Sequence, residues 1–315
     1  MTPGVSALER RRDDQVKTLL ITGGAGQIGA ELRRLDWGAN IRIVAPTRAE
    51  LDITSSQNVA ALFSSQAFDG VINASAYTSV DRAEDEAAAA FAANALGPAL
   101  LADACRRATI PLIHISTDYV FAGDKTAPYV EDDAVGPLGV YGASKLAGEL
   151  AVQSAAPRSV ILRTAWVLSA HRSNFLKTML RLSRTRLEID VVNDQIGCPT
   201  GATDVARVIK TIMEAHLTDP AAPVGIYHFV NDGEASWCDL ASVIFALDGD
   251  GAPRAVAIPI TTDQYPTAAR RPANSRLATA KVSRDFAVTP RPWRRAVAEI
   301  IAELRADEQH PGAGA

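Results

Sequence analysis

The segment Lys17-Thr-Leu-Leu-Ile-Thr-Gly-Gly-Ala-Gly-Gln-Ile-Gly29 decides the fold of this chain. Its first five residues form a short apolar run of the kind that makes a buried strand, and the residues from Gln27 to Leu35 repeat apolar side chains at helical spacing. The same alternation of short β-branched runs and helical patterns continues along the chain. Further strands are predicted at 41–44, 71–73, 111–115 and 160–162. The sequence therefore predicts an α/β fold, a Rossmann-type doubly wound parallel sheet.

The turn between the first strand and the first helix carries glycines at the spacing G-x-x-G-x-x-G. Gly23 permits the tight turn, Gly26 lets a pyrophosphate approach the backbone, and Gly29 lets the helix pack closely on the strand. Gln27 and Ile28 begin the helix, whose unpaired N–H groups attract phosphate. The segment therefore predicts a dinucleotide site at Gly23, Gly26, Gln27 and Ile28.

The end of the second strand indicates which dinucleotide binds. An NAD site usually carries an acidic residue there, whereas this chain has Thr47 and Arg48, which suit a 2′-phosphate. NADPH is therefore expected as the cofactor, with NADH as the alternative. The alternative role of Arg48 is that of a solvated surface charge. Further cofactor contacts are expected from Asp52, Ile53, Ala74 and Ala76.

Tyr141-Gly-Ala-Ser-Lys145 places a phenol and an ammonium one turn apart on a predicted helix. A neighbouring cation is expected to lower the pKa of Tyr141 toward the working range of an acid–base catalyst. Thr117, with Ser116 as its rival, ends the fourth strand, where a hydroxyl can donate to a substrate carbonyl. Asp118 and Tyr119 follow and are predicted substrate contacts, with loop capping and core packing as their alternative roles.

Length and composition limit the class of protein. The 315 residues are 47% hydrophobic and 22% charged, with a net charge of −4, as in an ordinary globular protein. The chain lacks the excess of basic residues that marks proteins binding nucleic acid, so nucleic acid is not an expected partner. The three cysteines, Cys105, Cys198 and Cys238, are too far apart in sequence to indicate a disulfide framework or a metal pair. The alanine-rich stretch from Ala87 to Cys105 is expected to be a packed helix and not a membrane span.

The strand and helix patterns also suggest how the chain is divided. Beyond about residue 167 the regular alternation stops, and a smaller α/β lobe is expected, interleaved with the last strands of the sheet. The first residues are polar and lack the apolar core of a secretory signal, so a cytoplasmic protein is expected. The predicted parts are a disordered leader (1–16), an NAD(P)-binding domain (17–167), a mainly substrate-binding lobe (168–306) and a tail (307–315).

Six motifs in the same order resemble the extended short-chain dehydrogenase/reductase superfamily and, within it, the dTDP-4-dehydrorhamnose reductase family. The motifs are the glycine loop with Glu31-Leu32, Ser116-Thr-Asp-Tyr-Val-Phe121, Tyr141-Gly-Ala-Ser-Lys-Leu-Ala-Gly-Glu149, Arg163-Thr-Ala-Trp-Val167, Asn193-Asp-Gln-Ile-Gly-Cys-Pro-Thr200 and Arg271-Pro-Ala-Asn-Ser-Arg-Leu277. The resemblance covers about residues 17 to 304.

The resemblance implies a catalytic triad of Thr117, Tyr141 and Lys145. It implies that Trp166 lines the sugar pocket and that the segment containing Arg271 and Asn274 lies near the pyrophosphate of a nucleotide-sugar substrate, which suits an arginine fork. The implied reaction reduces the 4-keto group of dTDP-4-dehydrorhamnose. Alternatives are another dTDP-4-keto sugar, such as one of the dihydrostreptose type, and a non-catalytic nucleotide-binding regulatory subunit. A homodimer is the expected assembly.

Some members of the family are described as holding magnesium between glutamates at a dimer contact. Glu31 and Glu303 match two of those positions, but Thr203 stands where the third carboxylate would be. Because a hard divalent cation requires several oxygen ligands with negative charge among them, the sequence predicts no metal.

Overall fold

The computed structural model describes residues 16–249 and 255–309. Most of the predicted leader (1–15) and the end of the predicted tail (310–315) therefore lie outside the described residues. The strands are β1 (Lys17–Thr22), β2 (Ile41–Val44), β3 (Gly70–Asn73), β4 (Leu112–Thr117), β5 (Ser159–Thr164), β6 (Val167–Leu168), β7 (Glu188–Val192), β8 (Ile196–Gly197), β9 (Thr200–Gly201), β10 (Gly225–His228), β11 (Ala235–Ser236) and β12 (Val256–Ile260). The α-helices are α1 (Gln27–Arg34), α2 (Ser56–Ser65), α3 (Val80–Asp85), α4 (Ala87–Phe91), α5 (Gly97–Ala108), α6 (Val140–Ala155), α7 (Phe175–Ser183), α8 (Ala202–Thr218), α9 (Trp237–Asp248), α10 (Ala280–Phe286) and α11 (Trp293–Gln309).

Six parallel strands form the main sheet in the order β10-β5-β4-β3-β1-β2. The predicted α/β fold with a doubly wound parallel sheet is confirmed. The strand order reverses between β1 and β3, and open sheets of this kind bind ligands at the carboxyl ends of the strands beside that point. Thr22, Asn73 and Thr117 end β1, β3 and β4 at this edge.

The four central strands of the sheet, β5, β4, β3 and β1, are buried on both faces, as the nearly continuous apolar runs predict. Leu19 and Ile21 pack in one core with Leu32 of α1 and Ile209 of α8. Leu20, which points to the opposite face, belongs to a second core under α2 and α5. This packing on both sides holds the carboxyl edge of the sheet in a fixed position.

The second half of the chain contains a smaller lobe with its own core. β7 and β12 pair in parallel, and the helices α7, α9 and α11 pack around them. The chain also returns to the main sheet, where β10 lies beside β5. The return of β10 agrees with the expected interleaving of the lobe with the last strands, while the domain boundaries themselves stay a prediction.

The alanine-rich stretch forms α4, a π-helical segment (Ala92–Leu96) and α5. Together they span Ala87–Ala108, which is long and apolar enough to cross a membrane by length and composition alone. The run packs against α6. The expected kink near Gly97 and Pro98 takes the form of the preceding π-helical turn, because Pro98 has no N–H for the carbonyl four residues earlier.

Candidate active site

The backbone of the glycine loop packs so closely that a side chain at Gly23 or Gly29 would collide with neighbouring backbone atoms. Gly23 has φ = +71°, and a Cβ there would lie 2.5 Å from the backbone of Ala74. A Cβ on Gly29 would lie 2.1 Å from the carbonyl oxygen of Gly23. The N–H of Gly26 donates to that same carbonyl at 2.9 Å, so the loop is closed on itself at the N-terminus of α1. The spacing of the glycines therefore follows from packing.

A cavity of about 700 Å³ runs along the carboxyl edge of the sheet, from the glycine loop to the second lobe. Sixteen of the eighteen residues that the sequence singles out as site residues line it. They are Gly23, Gly26, Gln27, Ile28, Thr47, Arg48, Asp52, Ile53, Ala74, Ala76, Thr117, Asp118, Tyr119, Tyr141, Lys145 and Trp166. The structure thus brings together residues that are up to 143 positions apart in the sequence.

Arg271 and Asn274 do not line this cavity. The guanidinium of Arg271 forms a two-pronged ion pair with Asp81, with N···O distances of 2.9 and 2.7 Å. The amide of Asn274 donates to the backbone carbonyls of Lys125 and Ala127 and so fixes a neighbouring loop. Both predicted substrate contacts are therefore held by protein groups in this structure.

Tyr141 lies in the first turn of α6. Burial raises the pKa of Tyr141 to about 12, interaction with the Thr117 hydroxyl lowers it, and the nearby Asp118 raises it. The expectation of a lowered Tyr141 pKa is wrong in this structure, because burial of the phenol dominates. Tyr141 is consequently a neutral phenol at physiological pH, the form that donates a proton.

Lys145 lies one turn further along α6 and is almost completely buried. Its Nζ donates to the carbonyl oxygen of Ile115 at 2.6 Å. Burial lowers the pKa of this ammonium to about 8, and the carboxylate of Glu149 opposes that shift. Glu149 is itself paired with Arg163 through two hydrogen bonds of 2.9 and 2.7 Å. Lys145 therefore keeps its charge at pH 7 at the floor of the cavity.

Trp166 lines the same cavity. Its backbone has φ = +46°, a left-handed conformation that is uncommon for a large side chain. Its ring stacks on that of Trp237, with centroids 3.5 Å apart and planes inclined by 7°. Gly197 lies directly against this ring, since a Cβ there would be 2.4 Å from Trp166. The two rings thus form a flat aromatic wall of the cavity that Tyr141 and Thr117 also line.

The end of the cavity near β2 carries the residues that the sequence assigns to the cofactor. Arg48 lines the cavity and makes no ion pair within the part of the chain that the structure describes. The N–H and hydroxyl of Thr47 both donate to Glu50, at 2.8 and 2.9 Å. Arg48 is therefore available to an anion, whereas Thr47 must first give up an internal partner.

The lining residues that the sequence reasoning does not predict include three from the second lobe: Arg172, Ser173 and Trp237. Arg172 has φ = +61°, and its Nε donates to the carbonyl oxygen of Ala25 in the glycine loop at 2.7 Å. These residues come from the second lobe and approach the loop only in the folded chain. No local spacing in the sequence predicts them.

The residues that match the metal positions of the family do not suit a cation. Glu31, Glu303 and Thr203 line one cavity of about 270 Å³. The guanidinium of Arg34 already pairs with Glu303 and lies 3.9 Å from Glu31. No group of three or more His, Cys, Asp or Glu side chains that could hold a metal is found within residues 16–249 and 255–309. The described residues thus fit an internal ion pair, and no step is assigned to a metal.

A parallel sheet with a glycine loop at its switch point and a Tyr141/Lys145 pair in the same crevice defines a Rossmann-type protein of the short-chain dehydrogenase/reductase class. The family model described as "RmlD substrate binding domain" matches residues 17–306. The chain belongs to this family.

Similar proteins carry consistent names. A dTDP-4-dehydrorhamnose reductase of Sinorhizobium fredii is 41% identical over 288 residues, 91% of this chain and 97% of the relative. A structure of a dTDP-4-dehydrorhamnose reductase from Clostridium acetobutylicum superimposes with a TM-score of 0.85 at 35% identity, covering 91% of this chain and 99% of that one. The enzyme of the same name from Bacillus anthracis, solved in complex with NADP, gives a TM-score of 0.85 at 33% identity, over 91% of this chain and 99% of its own.

Proposed function

We propose that this protein uses NADPH to reduce the 4-keto group of dTDP-4-dehydrorhamnose, giving dTDP-L-rhamnose. The observation that carries the proposal is one continuous cavity in which Thr117, Tyr141 and Lys145 face the glycine loop. The names of the relatives and the NADP complex of the Bacillus anthracis structure support the same activity.

The chain's residues fit a dinucleotide. The close approach of Gly23 and Gly29 to the backbone leaves a cradle without side chains at the N-terminus of α1, which suits a pyrophosphate. Arg48 would pair with a 2′-phosphate at the far end of this cradle. Lys145 would hold the ribose beside the nicotinamide. When bound, the reduced cofactor supplies the hydride.

Tyr141 is the proposed acid. Its raised pKa keeps the phenol protonated, and the oxygen of a ketone becomes far more basic as hydride adds to the carbon, so the proton moves from Tyr141 to that oxygen. Thr117 would donate a hydrogen bond to the same oxygen, where negative charge grows in the transition state.

The substrate is proposed to lie between Tyr141 and the Trp166/Trp237 wall, with Asp118 and Tyr119 beside the sugar. Asp81 holds Arg271 away from the cavity, so a role for Arg271 at the substrate's pyrophosphate requires it to exchange this partner. We further propose a cytoplasmic homodimer that acts on a nucleotide sugar and needs neither nucleic acid nor a membrane.

The test incubates the purified protein with NADPH and dTDP-4-dehydrorhamnose. Loss of NADPH absorbance and identification of dTDP-L-rhamnose by mass and NMR would support the proposal. The Tyr141→Phe variant serves as the matched control for background oxidation. Turnover only with a related dTDP-4-keto sugar would favour the alternative substrate, and nucleotide binding without any turnover would favour a regulatory subunit.

A further inference from the structure

The buried carboxyl group of Asp118 has no use in the mechanism above, although it lies beside the reacting atoms. Asp118 is 3% exposed, lines the cavity, and makes no ion pair with any described residue. Its Oδ1 accepts a hydrogen bond from the hydroxyl of Thr117 at 2.8 Å. Its Oδ2 is buried and has no hydrogen-bond partner among the residues that the structure describes. A carboxyl group held in this way requires an explanation.

We propose that Asp118 is a positioning residue that decides whether the hydroxyl of Thr117 donates its proton to the carboxyl group or to the substrate ketone. This inference rests on the proposed function, because it concerns the hydrogen bond that Thr117 gives to the ketone. It is argued from the number of hydrogen bonds that the Thr117 oxygen can make.

In this structure the single proton of the Thr117 hydroxyl is already engaged. A threonine hydroxyl has one proton to donate and two lone pairs that accept. Thr117 donates to Asp118 at 2.8 Å and accepts from the N–H of Tyr119 at 3.2 Å. Thr117 has no proton left for a ketone.

A bound ketone changes this arrangement. Tyr141 gives its proton to the ketone oxygen. If Asp118 is ionised, Thr117 can donate to the ketone only by taking a hydrogen bond away from a buried carboxylate, which is unfavourable. If Asp118 is protonated, its O–H can donate to the oxygen of Thr117, and the Thr117 proton is released to the ketone. The second arrangement satisfies every group.

The surroundings of Asp118 raise its pKa toward neutrality. The titratable groups that face it are the phenols of Tyr119 and Tyr141 and the thiol of Cys198; burial raises the pKa of all three, so they are neutral at pH 7. Burial raises the pKa of Asp118 to about 6, against the hydrogen bonding that lowers it. A ligand that takes the Thr117 proton removes a hydrogen bond from the carboxylate and so raises this pKa further.

The first experiment compares pH profiles of kcat/KM for the wild type, Asp118→Asn and Thr117→Val. In the wild type, kcat/KM is expected to fall about tenfold as the pH rises through the ionisation of Asp118. A fall of this size corresponds to the loss of one hydrogen bond. The side-chain amide introduced by Asp118→Asn would donate a hydrogen bond at every pH. The kcat/KM of this variant should therefore not fall in a step as the pH rises, and above pH 7 it should exceed that of the wild type. Thr117→Val should show no such step, and its kcat/KM should stay at the level that the wild type reaches at high pH.

Two results for Asp118→Asn would overturn the inference: a step like that of the wild type, or a flat profile at the level of Thr117→Val. Asp103→Asn is the matched control, because Asp103 pairs with Arg106 and Arg107 on the outside of α5 and should keep the wild-type profile. Failure of the wild type to reduce the ketone would refute the proposed function itself, independently of any difference between variants.

A second measurement does not depend on turnover or on how Asp118→Asn folds. Calorimetry in two buffers of different ionisation enthalpy counts the protons taken up when the protein loaded with NADP⁺ binds the keto sugar. The wild type is expected to take up a fraction of one proton at pH 7, and Thr117→Val clearly less. Binding by the wild type without proton uptake would exclude a neutral Asp118 in the complex.

Discussion

Replacing Lys145 by methionine is expected to make the protein more stable and nearly inactive. Holding the ammonium charge in its buried position lowers the pKa from 10.5 to about 8. Since one pKa unit equals 1.36 kcal/mol, this corresponds to a cost of about 3 kcal/mol to the folded state at pH 7. The lost hydrogen bond to Ile115 offsets about 1 kcal/mol. Lys145→Met should therefore raise the free energy of unfolding by about 2 kcal/mol.

The stability difference between the wild type and Lys145→Met should depend on pH in a definite direction. Between the folded pKa of about 8 and the unfolded value of 10.5, the unfolded wild type binds more protons than the folded one. Its stability therefore rises with pH in this window, and the advantage of Lys145→Met should shrink to less than about 1 kcal/mol near pH 9.5. Turnover should drop by about 10²-fold or more, as expected when a group that positions the cofactor against the substrate is lost.

Urea unfolding of both proteins at the two pH values measures the difference. Lys177→Met is the matched control: the ammonium of Lys177 also donates to a backbone carbonyl, that of Ala170 at 2.7 Å, but it lies closer to the surface, so no gain is expected. A Lys145→Met variant that is less stable than the wild type at pH 7, or a gain that does not change with pH, would refute the burial argument.

Three further changes test the site. Tyr141→Phe should lower turnover by about 10²- to 10⁴-fold and leave the Kd for NADPH nearly unchanged; an equal loss of binding would place Tyr141 in cofactor binding instead. Arg48→Ala should weaken NADPH binding about 10- to 100-fold, as for a charged hydrogen bond, and leave NADH binding unaltered, whereas equal effects on both would remove Arg48 from the 2′-phosphate. Chelation with EDTA should change neither rate nor melting temperature, because Arg34 pairs with Glu303; a loss of activity that Mg²⁺ restores would contradict this.

The residues around the cavity differ in how well local sequence predicts them. Local spacing is enough to predict where some of them lie, because they are separated by only a few residues. These are the glycines Gly23, Gly26 and Gly29 and the Tyr141/Lys145 pair. Arg172 and Trp237 approach the glycine loop and Trp166 from the second lobe and have no comparable signature. Their absence from the prediction reflects contacts made between residues that are distant in the sequence.

The sequence by itself determined the alternation of strands and helices, the glycine turn and the family, because each is written in short-range spacing of residue types. Only the tertiary structure decided the charge states and partners within the site. It paired Arg271 with Asp81, 190 residues away, and kept Tyr141 neutral and Asp118 partly unsatisfied. The physical reason is that burial and long-range contacts set desolvation and hydrogen bonding, and neither can be read from neighbouring letters.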